Sequence, residues 1–255
     1  MSLTINESQP PGTSALKSAE HFIVPNRIGG QLSIWRYHGE QPKADVVLVH
    51  DLTNNAAVFG DQQQGLVQRL CQNGFNVWTC NLHGYGDSWP QISRKTRYSL
   101  TEATQGDLAL VVKAVQRYQA LPIFLLGKGV GGVLWQHYLL SATVPNLAGV
   151  VLWQHPYFTP TPKRRFKRLL ALFAGFQPGR QRVVPEFFRQ AKRESAPKVT
   201  RAPVSCYVHQ ACEIDQYDLA ERLGKHNSQV LVAAKAEQEA AICHWLQSNF
   251  ARSIN

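Results

Sequence analysis

Apolar and polar positions along this chain change period block by block, and the blocks define its elements. His21–Arg27 and Gln31–His38 alternate around Gly29-Gly30, which predicts a hairpin of two strands. Ala44–His50 (ADVVLVH) is a continuous apolar run, as expected of a strand covered on both faces. Gln62–Asn73 places Leu66, Val67, Leu70 and Cys71 at helical spacing and stops at Gly74. Asn76–Leu82 reads as a strand. Ser99-Leu100-Thr101-Glu102 has the form of a capping box ahead of a helix running to about Gln119. Pro122–Leu126 is a strand, Val130–Ala142 a helix and Leu147–His155 a strand. From Pro156 to Pro197 the rhythm breaks. It resumes as strand, helix, strand and helix at Pro203–His209, Asp215–His226, Ser228–Ala234 and Glu237–Phe250.

Strands alternating with helices at this spacing imply an α/β fold with a mostly parallel sheet and helices on both faces. The count is eight strands, a hairpin and then six in alternation, with the interruption after the sixth. The opening MSLTINESQPPGTSALK is polar and carries a Pro-Pro-Gly break, so residues 1–20 are expected to be a flexible start. Residues 21–255 then form one domain with an insertion at about 156–202. No internal repeat or low-complexity tract interrupts it.

The chain has 255 residues and is 44% apolar, enough for one sizeable core. Its five cysteines, 71, 80, 206, 212 and 243, show no paired metal spacing and no disulfide framework, which fits a reducing compartment. With no apolar leader and no stretch long enough to span a bilayer, the expected location is cytoplasmic. The net charge of +10 changes this picture because it is local. Twelve Lys and Arg lie between Lys163 and Arg201 against two acids, Glu186 and Glu194, and the rest of the chain balances at fifteen of each.

Three motifs carry a resemblance. Leu48-Val49-His50-Asp51 follows the third strand. Asn81-Leu82-His83-Gly84-Tyr85-Gly86-Asp87-Ser88 follows the fourth. Gly127-Lys128-Gly129-Val130-Gly131 lies in a strand–turn–helix setting. From about His21 onward the chain resembles the α/β-hydrolase superfamily, of lipase and esterase kind. The first motif is similar to that family's H-G turn, the second to its D-x-R-G-x-G-x-S turn and the third to its G-x-S-x-G nucleophile elbow. The resemblance implies the α/β-hydrolase fold, with a helical cap inserted after strand six where the rhythm breaks.

The departures from the family fall on its chemistry. The elbow's central serine is Gly129, which has no atom to attack a carbonyl or hold an acyl group. The family's acid, expected after strand seven, is best matched by Glu213 and next by Asp215. The histidine expected after strand eight is missing, since Val230–Ala234 runs into Lys235-Ala236-Glu237-Gln238-Glu239. His244 lies well inside the last helix, too far along to act as the base. The implied oxyanion donors are the backbone N–H groups of Val130 and of the turn near Leu52. Asp51 stands beside that hole where the family carries glycine, and a carboxylate there opposes a developing oxyanion. The richness of Asp-Leu-Thr-Asn-Asn in hydrogen-bonding side chains favours a turn role, with Asp51 capping Asn54 or Asn55. Glycine at 129 accepts the strained elbow backbone without a Cβ clash, which favours the fold by on the order of 1 kcal/mol.

His50, His83, His155 and His209 each end an expected strand, and with Asp51 and Lys128 they are expected to form a cleft rim. No H-x-H or H-x-x-x-H spacing occurs, so no metal ion or other cofactor is expected. Cys212 beside Glu213 has no base partner and reads as a bystander thiol. In the inserted region Phe166, Leu169, Leu170 and Phe173 form one helical stripe, while Lys163, Arg164, Arg165, Lys167 and Arg168 make the segment strongly basic. Such a cap suits a small apolar or anionic ligand, an anionic membrane surface reached peripherally, or an acidic protein. Nucleic acid is disfavoured, because no nucleic-acid-binding motif or stacking pattern appears. Two functions follow. The first is a non-catalytic binding or scaffold protein that has lost the Ser and His of its triad. The second is an esterase- or lipase-like hydrolase with an atypical catalytic arrangement.

Overall fold

The computed structural model describes residues 4–6, 19–26, 29–51, 54–60, 65–91, 98, 100–118, 120–154, 229–233 and 238–253. Eight strands form one sheet: β1 Thr4–Asn6, β2 Ala19–Pro25, β3 Gln31–Tyr37, β4 Ala44–Val49, β5 Phe75–Asn81, β6 Ile123–Lys128, β7 Leu147–Trp153 and β8 Gln229–Ala233. Their spatial order is β1-β2-β3-β5-β4-β6-β7-β8. β5, β4, β6, β7 and β8 run parallel, and β3, β2 and β1 extend the sheet in antiparallel pairing.

The hairpin forms as expected, in the register Ala19↔Tyr37 to Pro25↔Gln31. Its turn is closed by Asn26 N–H to the Gly30 carbonyl at 2.8 Å and Gly30 N–H to Asn26 Oδ1 at 2.7 Å. Within the start expected to be flexible, Thr4–Asn6 adds a strand against β2, pairing Thr4 with Ile23. Three polar or β-branched residues carry no periodic signal, and only the open edge of β2 gives them a partner. The strand expected at Pro203–His209, the helix at Asp215–His226 and the cap at about 156–202 lie outside the described residues. β8 pairs directly with β7, Gly149↔Gln229 to Trp153↔Ala233.

Alternation along the buried strands sends side chains into two cores. Val47, Val49, Trp78, Cys80 and Leu125 face one core with Val111 and Val115 of helix α2 (Ala109–Tyr118) and Leu134 and Trp135 of α3 (Val130–Ser141). Val46, Leu48, Phe75, Val77, Phe124 and Leu126 face the other. They meet Leu66 and Leu70 of α1 (Leu66–Gln72) and Ile242 and Leu246 of α4 (Glu239–Ser253). Helices therefore cover both faces, which explains why β4 and β5 are buried at every position. One expected α-helix differs in part: Glu102–Leu108 is π-helical and α2 follows from Ala109. The wide turn brings Ala103, Thr104, Asp107 and Leu108 inward together, which includes a carboxylate that needs a polar partner. Ser99 of the expected capping box lies outside the described residues.

Candidate functional site

The ends of β4, β5, β6 and β7 converge on the turn between β6 and α3. Gly127 and Gly131 frame it by necessity: a Cβ on Gly127 would lie 2.2 Å from the Gly132 nitrogen, and one on Gly131 2.4 Å from the Val49 carbonyl oxygen. Between them Gly129 adopts φ 56° and ψ −121°, a backbone that an L side chain adopts only with strain. Its N–H donates to the Trp153 carbonyl at 2.8 Å and its carbonyl accepts Gly132 N–H at 3.2 Å. The sharp strand-to-helix turn of a nucleophile elbow is thus built, with no side chain at its centre.

Asp51, just past β4, fills that centre. Its Oδ1 accepts the backbone N–H of Val130 at 2.9 Å. A Cβ placed on Gly129 would lie 2.6 Å from Asp51 Oδ1 and 2.7 Å from its Cγ. In the turn that Asp51 opens, its backbone carbonyl accepts Asn54 N–H at 3.1 Å, and Asn55 Oδ1 accepts Ala57 N–H at 3.0 Å at the start of a short 3₁₀ turn, Ala56–Phe59. The carboxylate itself reaches across to the elbow.

His50 orients this arrangement from below. Its Nε2 accepts Leu82 N–H at 3.3 Å, so Nδ1 carries the proton and donates to the Asp51 carbonyl at 2.8 Å. The ring is 1% exposed and burial pushes its pKa down to about 4, against weaker opposing pulls from the Asp51 carbonyl and charge. His83 is as buried; its Nδ1 accepts Asn26 Nδ2–H at 3.0 Å, and burial lowers its pKa. Both histidines were expected on the cleft rim. They are instead interior groups, because each ring nitrogen that faces the protein finds a backbone or amide partner there.

Lys128 and Asp51 are the rim residues that remain partly open. Lys128 Nζ lies 4.5 Å from the centroid of the Trp153 ring, a cation–π distance. Partial burial lowers its pKa, while Asp51 and Glu239 at the start of α4 pull it back up. His155, His209, Leu52, Glu213, Asp215, Cys212 and the basic residues Lys163, Arg164, Arg165, Lys167 and Arg168 lie outside the described residues. His244 is exposed on α4.

The structure also reveals a group that periodicity conceals. Asp107, on the π-helical stretch, accepts the Tyr98 hydroxyl and, at 2.8 Å, the backbone N–H of His83. Burial raises its pKa to about 7, the two hydrogen bonds lower it and Glu102 raises it. A lone carboxylate amid Ala103, Thr104 and Leu108 was the available signal, but regular helical spacing does not reveal the π turn. A second pair, His21 Nε2 with Ser33 Oγ at 2.8 Å, has its imidazole stacked on Trp35. Ser33 is fully buried, so no substrate reaches it. Among the described residues no group of three His, Cys, Asp or Glu is placed to hold a metal ion. None of their helices is long and apolar enough to cross a membrane. Cys71, Cys80 and Cys243 are free, buried thiols whose pKa values burial raises.

The sequence profile of the family described as "Serine aminopeptidase, S33" matches residues 40–211. No curated protein sequence matches the chain. Solved structures with the same fold include a thermostable carboxyl esterase from Bacillus coagulans in complex with glycerol, at TM-score 0.65 and 13% identity, covering 91% of this chain and 99% of that one. A soluble variant of the monoglyceride lipase of Saccharomyces cerevisiae aligns at TM-score 0.65 and 10% identity, over 88% of this chain and 92% of that one. An alpha/beta hydrolase from Penicillium sp. sh18 aligns at TM-score 0.61 and 12% identity, over 92% and 98%. With a profile match over more than half of its length, on a parallel sheet carrying the strand–turn–helix elbow, the chain belongs to the serine aminopeptidase S33 family of α/β-hydrolases.

Proposed function

We propose that this chain is a non-catalytic member of its family, a binding or scaffold protein that uses the cleft and the basic segment between Lys163 and Arg201. The observation that carries the reading is Gly129: the elbow backbone is kept at φ 56° and ψ −121° with no side chain to act as nucleophile. Supporting it, the two described histidines closest to the strand ends, His50 and His83, are buried and hydrogen-bonded, so neither reaches a substrate as a base. The ligand class that suits the chain is an apolar or anionic small molecule, an anionic membrane surface or an acidic protein, since the whole positive excess lies in one segment.

Hydrolysis of short- and medium-chain nitrophenyl esters by the purified chain tests the reading. The expected result is no turnover above buffer, and robust turnover would overturn it. Flotation with vesicles isolates the membrane version: equal binding to neutral and anionic vesicles would exclude it.

A second reading, an esterase- or lipase-like hydrolase with an atypical arrangement, is favoured by Lys128. This half-buried amine lies at the elbow with its pKa lowered and with carboxylates nearby. Should turnover appear, its loss in Lys128→Ala would support this reading, and unchanged turnover would remove it.

A further inference from the structure

We infer that Asp51 is an internal latch on the elbow, a carboxylate that occupies both the space of the missing nucleophile side chain and the Val130 N–H donor beside it. The inference goes beyond the lack of a nucleophile, because it assigns position 129 a reason to be glycine that has nothing to do with chemistry. Two measures of the same contact agree. Asp51 Oδ1 takes the Val130 amide at 2.9 Å, and a Cβ on residue 129 would fall 2.6 Å from that oxygen and 2.7 Å from the carboxyl carbon. Real Cβ atoms do not approach neighbours so closely, so either the carboxylate or the new side chain must move.

The backbone that carries the carboxylate is fixed, so the carboxylate gives way only by rotating off the Val130 amide. Asp51 is held at its carbonyl by His50 Nδ1–H at 2.8 Å and Asn54 N–H at 3.1 Å. His50 is in turn tied to Leu82 N–H and buried against Tyr85, with ring centroids 4.8 Å apart. The other side of the contact is as constrained: Gly129 N–H is bonded to the Trp153 carbonyl, and Gly131 sits against the Val49 carbonyl with no room for a side chain. Two rigid walls, the end of β4 and the start of α3, face each other across one carboxylate. A side chain at 129 therefore has to displace the carboxylate, and so does an oxyanion at the Val130 amide. A serine restored at 129 would meet the carboxylate rather than a vacant donor.

A double-mutant cycle on the full chain tests this. Gly129→Ala is made in the native background, in Asp51→Gly and in Asp51→Asn, and melting temperatures are compared. The Asn variant keeps the volume of the carboxylate, and the Gly variant removes it. The expected result is that Gly129→Ala lowers the melting temperature about twofold more in the native and Asn backgrounds than in the Gly background. The remaining loss in the Gly background reflects the positive φ. Equal losses in all three would overturn the latch. Because Gly129→Ala can abolish folding, amide hydrogen exchange of the Asp51→Gly single variant is read as well. Protection at Val130 should fall by about tenfold with the core of α3 unchanged, and unaltered protection at Val130 would equally sink the inference. Both readouts are independent of turnover, so a failure here is distinguishable from ester hydrolysis overturning the non-catalytic reading.

Discussion

The backbone N–H of His83 donates to Asp107 Oδ2 at 2.8 Å, and this bond joins the turn after β5 to the π-helical stretch before α2. The same oxygen takes the Tyr98 hydroxyl, so one buried carboxylate anchors three segments. Burial outweighs both bonds and leaves the pKa near 7, above the ordinary 3.8.

That shift sets a pH dependence. The folded state holds the Asp107 proton more tightly than the unfolded state does. Its contribution to stability is therefore fully present below pH 3.8 and is lost as pH rises towards about 7. Asp107→Asn removes the titration and keeps an acceptor. Denaturant unfolding at pH 4.5 and pH 8 should show the variant gaining on the native chain by on the order of a few kcal/mol at the higher pH. A difference independent of pH would contradict the assignment.

His50 acts with the opposite sign in an overlapping window. Its folded pKa of about 4 lies below the ordinary 6.5, so its contribution is present above pH 6.5 and is lost as pH falls towards 4. Nitrogen-detected NMR of the ring should find the proton on Nδ1 and no titration above pH 5. His50→Ala leaves the Leu82 amide without its acceptor and should cost about 1–3 kcal/mol in chemical denaturation.

Lys128 reads out the balance at the site itself. Burial lowers its pKa despite Asp51 and Glu239, so the desolvation of the ammonium exceeds those attractions. Lys128→Met keeps the stem over Trp153 and removes the charge. The variant should be more stable at pH 7, with a raised melting temperature. A lower melting temperature would mean that the cation–π contact outweighs desolvation.

Far from the elbow, Arg36 is buried between Trp78 and Tyr118, with its guanidinium carbon 5.2 and 4.8 Å from the two ring centroids. Glu20 pairs with it at 3.1 Å and is only partly exposed. Glu20→Ala removes that carboxylate from a largely desolvated cation and should cost about 2–3 kcal/mol. Combining it with Arg36→Met should recover most of the loss in thermal unfolding. Additive losses would show that the rings alone hold the guanidinium.

The mostly parallel sheet, the hairpin and the elbow motif were legible in the sequence because they rest on local signals. A two-sided sheet demands continuous apolar runs such as ADVVLVH, and close backbone approach demands Gly127 and Gly131. The replacement at Gly129 is likewise a fact of one position. What local pattern could not supply was the surroundings of each polar group. His50 and His83 end strands and so were expected to be open at the rim. Whether a strand-end ring is open or buried depends on what packs over it, here Tyr85, Tyr98 and Asn26. Asp51 offered a local role in its own turn, and the structure adds a bond from Val130 N–H, seventy-nine residues later in the chain. Thr4–Asn6 became a strand only because β2 has a free edge. The sequence by itself determined which residues are apolar, where the chain must turn and that position 129 has no side chain. Tertiary structure alone decided which distant donor meets which buried carboxylate, because an unpaired polar group in the interior takes whatever partner the packing brings within about 3 Å.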